Sequence, residues 1–318
     1  VNWVDGHCDV LFKMWKDPIN HSFTSEQSAL DVTWPRIKQS RVSLQVFAIY
    51  IPQRVPRSGT WEVALRQVDY FYERIVRKNG PLFHVQSQHD LLQIGRGIPA
   101  ALLALEGVDA LQGELAYLRI LHHLGLRQVG LTWNYANEAA DGVLEGRNGG
   151  LSNFGWQLVK EMERLSMILD VSHLSVRGFW EVIQQARTPV MASHSNCRAL
   201  CSHVRNLTDE QIQALIQRQG LMGVTFVPQF VHNDPQKATV DDLLGHVERV
   251  CSLGGEGILT FGSDFDGIDH KIPGLEHAGH WDHWWNALIK RYPESLVYQW
   301  AFGNAIQFYE RFLPAVKG

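Results

Sequence analysis

Val4-Asp5-Gly6-His7-Cys8-Asp9-Val10-Leu11 opens the chain with an apolar segment that runs into a His-x-Asp pair. The pattern predicts a strand over residues 1–9. Successive side chains on a strand point to opposite faces, so His7 and Asp9 would share one face and Cys8 would take the other. An imidazole and a carboxylate on one rigid element make half of a donor set for zinc or a similar divalent ion. Alone, such a pair as readily caps backbone groups at a strand end. The reading therefore depends on whether comparable residues recur elsewhere in the chain.

They recur at one topological position. Residues 42–51 (VSLQVFAIYI) form an apolar, β-branched run, as expected of a buried strand. A second run over 98–105 ends in Glu106-Gly107, and a short strand is predicted over 128–132. Residues 168–172 run into His173, 189–193 into His194, and 258–262 into Asp264, with a further strand over 221–227. Helical patterns separate these runs. One covers 61–78 and closes on Asn79-Gly80-Pro81; another covers 110–124 and closes on Gly125. A third, over 154–166, is entered through Ser152 and Asn153. Thr208-Asp209-Glu210-Gln211 is a capping box for a helix that ends near Gly220. Helices over 239–253 and 293–313 complete the series.

About eight apolar strands alternating with helices, each a nearly continuous hydrophobic run, predict an α/β fold of the (β/α)8 TIM type with a parallel inner sheet. A doubly wound sheet would alternate in the same way, but no Gly-x-Gly-x-x-Gly follows the first strand. With no repeat or low-complexity linker, residues 1–318 are expected to form a single barrel domain. The strand ends of such a barrel converge on one face, where active sites are built. His7, Asp9, Glu106, His173, His194 and Asp264 would then crowd one rim. Two imidazoles or more with several carboxylates suit a pair of divalent ions bridged by one carboxylate, able to generate hydroxide at neutral pH. The Asn- and Gly-rich stretch 134–152 is long for a loop inside a compact domain, which marks it as functional.

Composition narrows the rest. Of 318 residues, 45% are hydrophobic and 19% charged, with a net charge of -4 and no basic block, so nucleic acid and membrane are not expected partners. Four cysteines are too few for a disulfide scaffold, which points to the reducing cytoplasm. No apolar run is as long as a membrane span, and the chain is expected to carry no signal peptide because it opens on a strand. Fifteen histidines weakly favour enzymology. The aromatic segment Trp281, Trp284, Trp285 reads as core.

Taken together, Asp5-Gly6-His7-Cys8-Asp9, Leu105-Glu106-Gly107, Leu169-Asp170-Val171-Ser172-His173 and Ala192-Ser193-His194-Ser195 resemble the renal (membrane) dipeptidase family, the metallo-dipeptidase branch of the amidohydrolase-like barrels. Val204-Arg205-Asn206, Gly262-Ser263-Asp264-Phe265-Asp266-Gly267 and Gly303-Asn304 extend the resemblance over essentially the whole chain. It implies a zinc-dependent hydrolase of dipeptides with a free C-terminal carboxylate, tolerating a D-residue on that side. His7 and Asp9 would bind one zinc and His173 and His194 the other, with Glu106 and a water or hydroxide bridging them. Asp264 would carry the proton, and Arg205 would hold the substrate carboxylate, a task suited to a planar guanidinium.

The sequence departs from the family at two places. A histidine that stabilises the oxyanion is replaced by Trp133, leaving Asn134 or Asn137 as candidate donors, since an indole cannot carry an imidazolium's charge. A tyrosine that helps hold the carboxylate falls on Phe230. The expected partner is thus a small dipeptide, with a homodimer left open. The alternatives are another dinuclear amidohydrolase, acting on a lactone, cyclic amide or phosphoester, and a catalytically silent metal-binding homologue. No lysine stands where the first would need a bridging one, and the intact Asp264 argues against the second.

Overall fold

The computed structural model describes residues 2–76, 80–94 and 97–316. Among the described residues nine strands run in chain order: β1 (Trp3–Asp5), β2 (Val42–Tyr50), β3 (Phe83–His84), β4 (Ala100–Glu106), β5 (Leu126–Gly130), β6 (Ile168–Asp170), β7 (Val190–Ala192), β8 (Leu221–Val224) and β9 (Leu259–Phe261). All pairings are parallel, in the order β2-β1-β9-β8-β7-β6-β5-β4-β3. A further pairing of β2 with β4, from Leu44↔Ala100 to Tyr50↔Glu106, closes eight of these strands into a barrel. The two-residue β3 lies outside the circuit, against the start of β4. This is the (β/α)8 barrel that the alternation of apolar runs and helices predicts.

The apolar runs are continuous because both faces of each strand are covered. Every residue of β4, and all but the last of β2, is buried. Val4, Leu44, Val46, Leu102, Ile168, Met191 and Leu221 pack together with Phe308 and Tyr309 of the C-terminal helix and with Leu313 just after it. That helix, Asn304–Phe312, therefore seals the barrel at the N-terminal ends of the strands, and the Tyr309 hydroxyl donates to Gln128 Oε1 at 3.2 Å. Trp281, Trp284 and Trp285 are buried, the first two against Phe226 and Phe261 and the third edge-on to Trp3, which bears out their assignment to the core. The barrel is also narrow near its C-terminal mouth. A Cβ on either Gly223 or Gly262 would lie 2.0 Å from the Ser193 carbonyl oxygen, so only glycine allows these strands to approach so closely.

Several boundaries differ from expectation. The first strand covers only Trp3–Asp5, and Asp9 already stands at the start of the helix Val10–Lys16. Strand-like pairing nevertheless persists at Cys8, whose N–H donates to Val46 O and whose carbonyl accepts from Ala48 N. The helix predicted from residue 61 starts at Arg57 and ends in a π-helical turn, Phe71–Ile75; its expected end at Lys78-Asn79 lies outside the described residues. The helix expected over 110–124 is two pieces, a 3-10 turn Val108–Leu111 and a helix Leu115–His123, because Gln112 and Gly113 adopt positive φ between them. The capping box is present, with Thr208 Oγ1 accepting from Gln211 N and Gln211 Oε1 accepting from Thr208 N. No helix among the described residues is long and apolar enough to cross a membrane.

Candidate metal centre

The mouth at the C-terminal strand ends gathers the residues that the sequence singles out. His7 follows β1, Glu106 ends β4, His173 follows β6, His194 follows β7 and Asp264 follows β9. Glu106 Oε1 stands 2.8 Å from His173 Nε2, 3.4 Å from His194 Nε2 and 3.7 Å from His7 Nε2. His7 Nε2 is also 3.5 Å from Asp9 Oδ2 and 3.7 Å from Asp264 Oδ1. The His7 and His194 rings stack at 3.9 Å, and the Nε2 atoms of His173 and His194 are 2.9 Å apart. Donor atoms of His7, Glu106 and His194, and of His7, Asp9 and Asp264, lie within 4.8 Å of one another.

The three histidines and the strand end that carries Asp264 are braced from behind. Asp5, two residues before His7, accepts from His7 N, from Ser263 N at 2.8 Å and from the Ser263 hydroxyl at 2.6 Å. It thereby joins the strand end that carries His7 to the one that carries Asp264. Asp170 does the same for the histidine pair, its Oδ1 accepting from Ser172 N and Ser193 N, each at 3.0 Å. Ser193 Oγ lies 2.7 Å from His194 Nδ1, and Asn134 Oδ1 lies 2.7 Å from His173 Nδ1. Fixing the outer nitrogen sets the tautomer and aims Nε2 at the centre. His173 and Asp264 both adopt φ above +60° without being glycine. Side chains rarely accept that conformation unless their surroundings impose it, and such residues cluster at functional sites.

Electrostatics explain why these groups need something between them. Burial alone would lower the His7 pKa, but Glu106, Asp9 and Asp264 outweigh it and raise it to about 10. Burial holds His173 and His194 well below the ordinary imidazole value, and the charge of Arg205 adds to the effect. Burial and the neighbouring carboxylates push Asp264 well above the usual range, and burial and Glu106 raise Asp9. Burial works to raise Glu106 as well, yet His7 and His194 overcome it and its pKa falls. Three carboxylates in each other's field, with His7 Nε2 and Asp9 Oδ1 buried and lacking a hydrogen-bond partner among the described residues, match a donor set for divalent cations. The chemistry of the set, nitrogen and oxygen without thiolate, suits zinc and its neighbours.

The centre opens into a cavity of about 690 Å³ lined by Tyr50, Arg54, Trp133, Asn134, His203, Arg205 and Phe230, among others. Arg205, which could have been a surface residue, is 3% exposed. One of its Nη atoms donates to the His194 carbonyl at 3.1 Å, while Nε is buried and has no partner among the described residues. The Arg205 guanidinium lies over the Phe230 ring at 5.2 Å. Trp133 forms an aromatic wall, 5.4 Å from the Tyr50 ring and 6.1 Å from His173. Asn134 lines the cavity, but its amide oxygen is engaged with His173, which makes it a positioning residue in this structure. Asn137 stands apart, donating to Leu131 O and Asp109 and accepting from Ala139 N. The 134–152 stretch lacks helix and strand but is pinned. Val143 N donates to His173 O at 2.7 Å, and Arg147 grips Asp141 with both prongs.

Sequence reasoning quoted Asp5, Asp170 and Ser193 within motifs but gave them no role, and it did not single out Tyr50 or His203. An Asp two residues before a polar strand end is a readable turn signal and could have revealed Asp5 and Asp170. Tyr50 ends β2 as Glu106 ends β4, so the same strand-end rule would have found it. Nothing local marks His203.

The sequence profile of the membrane dipeptidases, peptidase family M19, matches residues 1–312. Dipeptidase aclJ of Aspergillus oryzae is 32% identical over 295 residues, which covers 86% of this chain and 68% of the relative. Dipeptidase tcpJ of Claviceps purpurea is 36% identical over 205 residues, covering 64% of this chain and 48% of the relative, so this chain spans about half of that protein's length. Among solved structures, a metallopeptidase from Rhodobacter sphaeroides liganded with a phosphinate mimic of L-Ala-D-Ala superposes with a TM-score of 0.91. It is 24% identical and covers 98% of this chain and 99% of its own. The M19 dipeptidase AC superposes equally well, with a TM-score of 0.91 at 25% identity over 99% of both chains.

Proposed function

The chain belongs to the membrane dipeptidase family, peptidase family M19, as a hydrolase acting on peptide bonds, and from that premise we propose that it is a dinuclear zinc dipeptidase. The reading extends to one barrel domain over residues 1–318, with His7 and Asp9 holding one ion, His173 and His194 the other, and Glu106 between them. The observation that carries it is the position of Glu106 Oε1, within 3.7 Å of the Nε2 atoms of three histidines drawn from three different strand ends.

Bound there, the ions would lower the pKa of a water and polarise the scissile carbonyl. The protein's own groups do the rest. Arg205 faces the cavity with an unpartnered Nε and takes the free carboxylate of the substrate, which limits the substrate to two residues. Asp264, 3.7 Å from His7 Nε2, accepts the proton of the attacking water and returns it to the departing amine. Trp133 and Tyr50 wall the site against solvent. With no imidazolium at position 133, the negative charge developing on the carbonyl oxygen depends more heavily on the metal than on a side-chain donor.

The phosphinate mimic of L-Ala-D-Ala held by a protein of the same fold motivates a D-residue on the carboxylate side. Four unpaired cysteines, three of them buried, support a reducing compartment such as the cytoplasm. The test is a panel of L,L- and L,D-dipeptides offered to zinc-loaded protein, alongside Arg205→Ala. Hydrolysis of at least one dipeptide, strongly weakened in the variant, is expected. Failure to cleave any dipeptide with two equivalents of metal confirmed would overturn the reading.

A further inference from the structure

Beside Arg205 the cavity holds a second nitrogen donor that the proposed chemistry does not use. His203 lines the same cavity and lies half-buried two residues before Arg205. Its Nδ1 accepts the Arg205 backbone N–H at 3.2 Å. A ring nitrogen that accepts carries no proton, so in the neutral ring the proton sits on Nε2. Among the described residues nothing bonds Nε2. The ring is fixed against Phe230, with centroids 4.7 Å apart, and Phe230 in turn lies under the Arg205 guanidinium at 5.2 Å. The backbone of Phe230 is anchored by Asn206 Nδ2, which donates to its carbonyl at 2.8 Å. His203, Phe230 and Arg205 thus form one rigid face.

We propose that His203 is a substrate-binding residue, its Nε2–H donating to the same carboxylate that Arg205 pairs with. The inference rests on the reading above that Arg205 takes a substrate carboxylate. A carboxylate has about four acceptor sites, of which a guanidinium fills two, so a second donor on the same wall has an acceptor to meet. Phe230 cannot supply it, since its ring has no polar hydrogen. Burial, together with the charges of Arg205 and Arg198, lowers the pKa of His203, which keeps the ring neutral and a single-proton donor. The pair would then read carboxylate geometry as well as charge.

The experiment is steady-state kinetics of the zinc-loaded full chain on one cleaved dipeptide. His203→Ala should raise KM about ten-fold or more, the size expected for losing a hydrogen bond to a charged group, with kcat little changed. His203→Gln, which places an amide N–H near the former Nε2, should recover most of that loss while still lacking the ring stacked on Phe230. Unchanged KM in His203→Ala overturns the inference, as does an equal loss in both variants, which would mean that only packing on Phe230 mattered. Arg205→Ala separates the two levels. If it raises KM and His203→Ala does not, the inference fails while the carboxylate reading stands; if neither moves KM, the carboxylate reading itself fails.

Discussion

Asn134 Oδ1 lies 2.7 Å from His173 Nδ1, so a residue of the loop after β5 sets the tautomer of a histidine that follows β6. The contact fixes the imidazole plane as well as the proton, and it places Nε2 at 2.8 Å from Glu106. Removing such a partner usually costs 10–100-fold in metal affinity, roughly, without changing the ligands themselves. Asn134→Ala is therefore expected to weaken zinc binding by about that factor, measured by competition with a chromogenic chelator. An unchanged affinity would assign Asn134 to the substrate instead.

Gly267 lies against the carboxylates. A Cβ there would stand 2.2 Å from Asp9 Oδ2 and 2.5 Å from Asp264 Oδ1. The side chains can swing away, so the fold should survive Gly267→Ala, but they would leave their places around His7. Displacements of about 1 Å in a reacting constellation cost on the order of 100-fold in rate. We expect a fall of that order in kcat with a melting temperature near that of the parent. Wild-type kcat in the alanine variant would mean that the positions of Asp9 and Asp264 are not critical.

Asp266 and Asp31 interlock. The Asp266 carboxylate accepts from Asp31 N at 2.8 Å and Val32 N at 3.0 Å, while Asp31 accepts from Asp266 N at 2.8 Å and from Lys271. The latch ties the segment before the helix Trp34–Ser40 to the turn that carries Asp264. Asp266→Ala strands two backbone donors, a cost of about 1–3 kcal/mol each when buried. Urea unfolding of the metal-loaded protein should show a loss of up to about 2–6 kcal/mol for the two donors together, and Asp266→Asn, which keeps one acceptor, a smaller one. Equal stability of Asp266→Ala and the parent would contradict the latch.

Among the groups that set the pH dependence of the metal-free protein, His7 contributes in the alkaline range. Its pKa rises from 6.5 to about 10 on folding, so the proton it holds stabilises the fold. That contribution is complete below the unfolded value and disappears as pH climbs through the folded one. Without metal, thermal stability should decline from about pH 6.5 to about pH 10, and His7→Gln should flatten the decline. Metal must displace the same proton, so affinity should increase with pH across the same window. Parallel profiles for parent and His7→Gln, by calorimetry, would rule out this role of His7.

How legible all this was in the sequence depended on the kind of signal. The barrel could be read because continuous apolar runs and capped helices are local patterns, and the shared strand-end position of His7, Glu106, His173, His194 and Asp264 followed from that rhythm. The extent of β1 was misjudged because Gly6 and His7 leave the strand to meet the other rim residues, a departure set by partners distant in the chain. The split near Gln112 and Gly113 escaped notice because the apolar spacing runs on through it.

What the chain determined by itself was the order of elements, the closed parallel barrel and the residue types delivered to its rim, since these follow from periodicity, capping and strand-end placement. Tertiary structure alone decided that Asp5 and Asp170 brace the histidines, that Asn134 serves His173, that Arg205 is buried with a vacant nitrogen and that His203 stands beside it. Each of those depends on partners brought in from distant elements, as Ser263 is to Asp5, Ser193 to Asp170 and Phe230 to His203, or on a free edge left after packing. Such quantities exist only once the barrel has closed and removed the competing solvent.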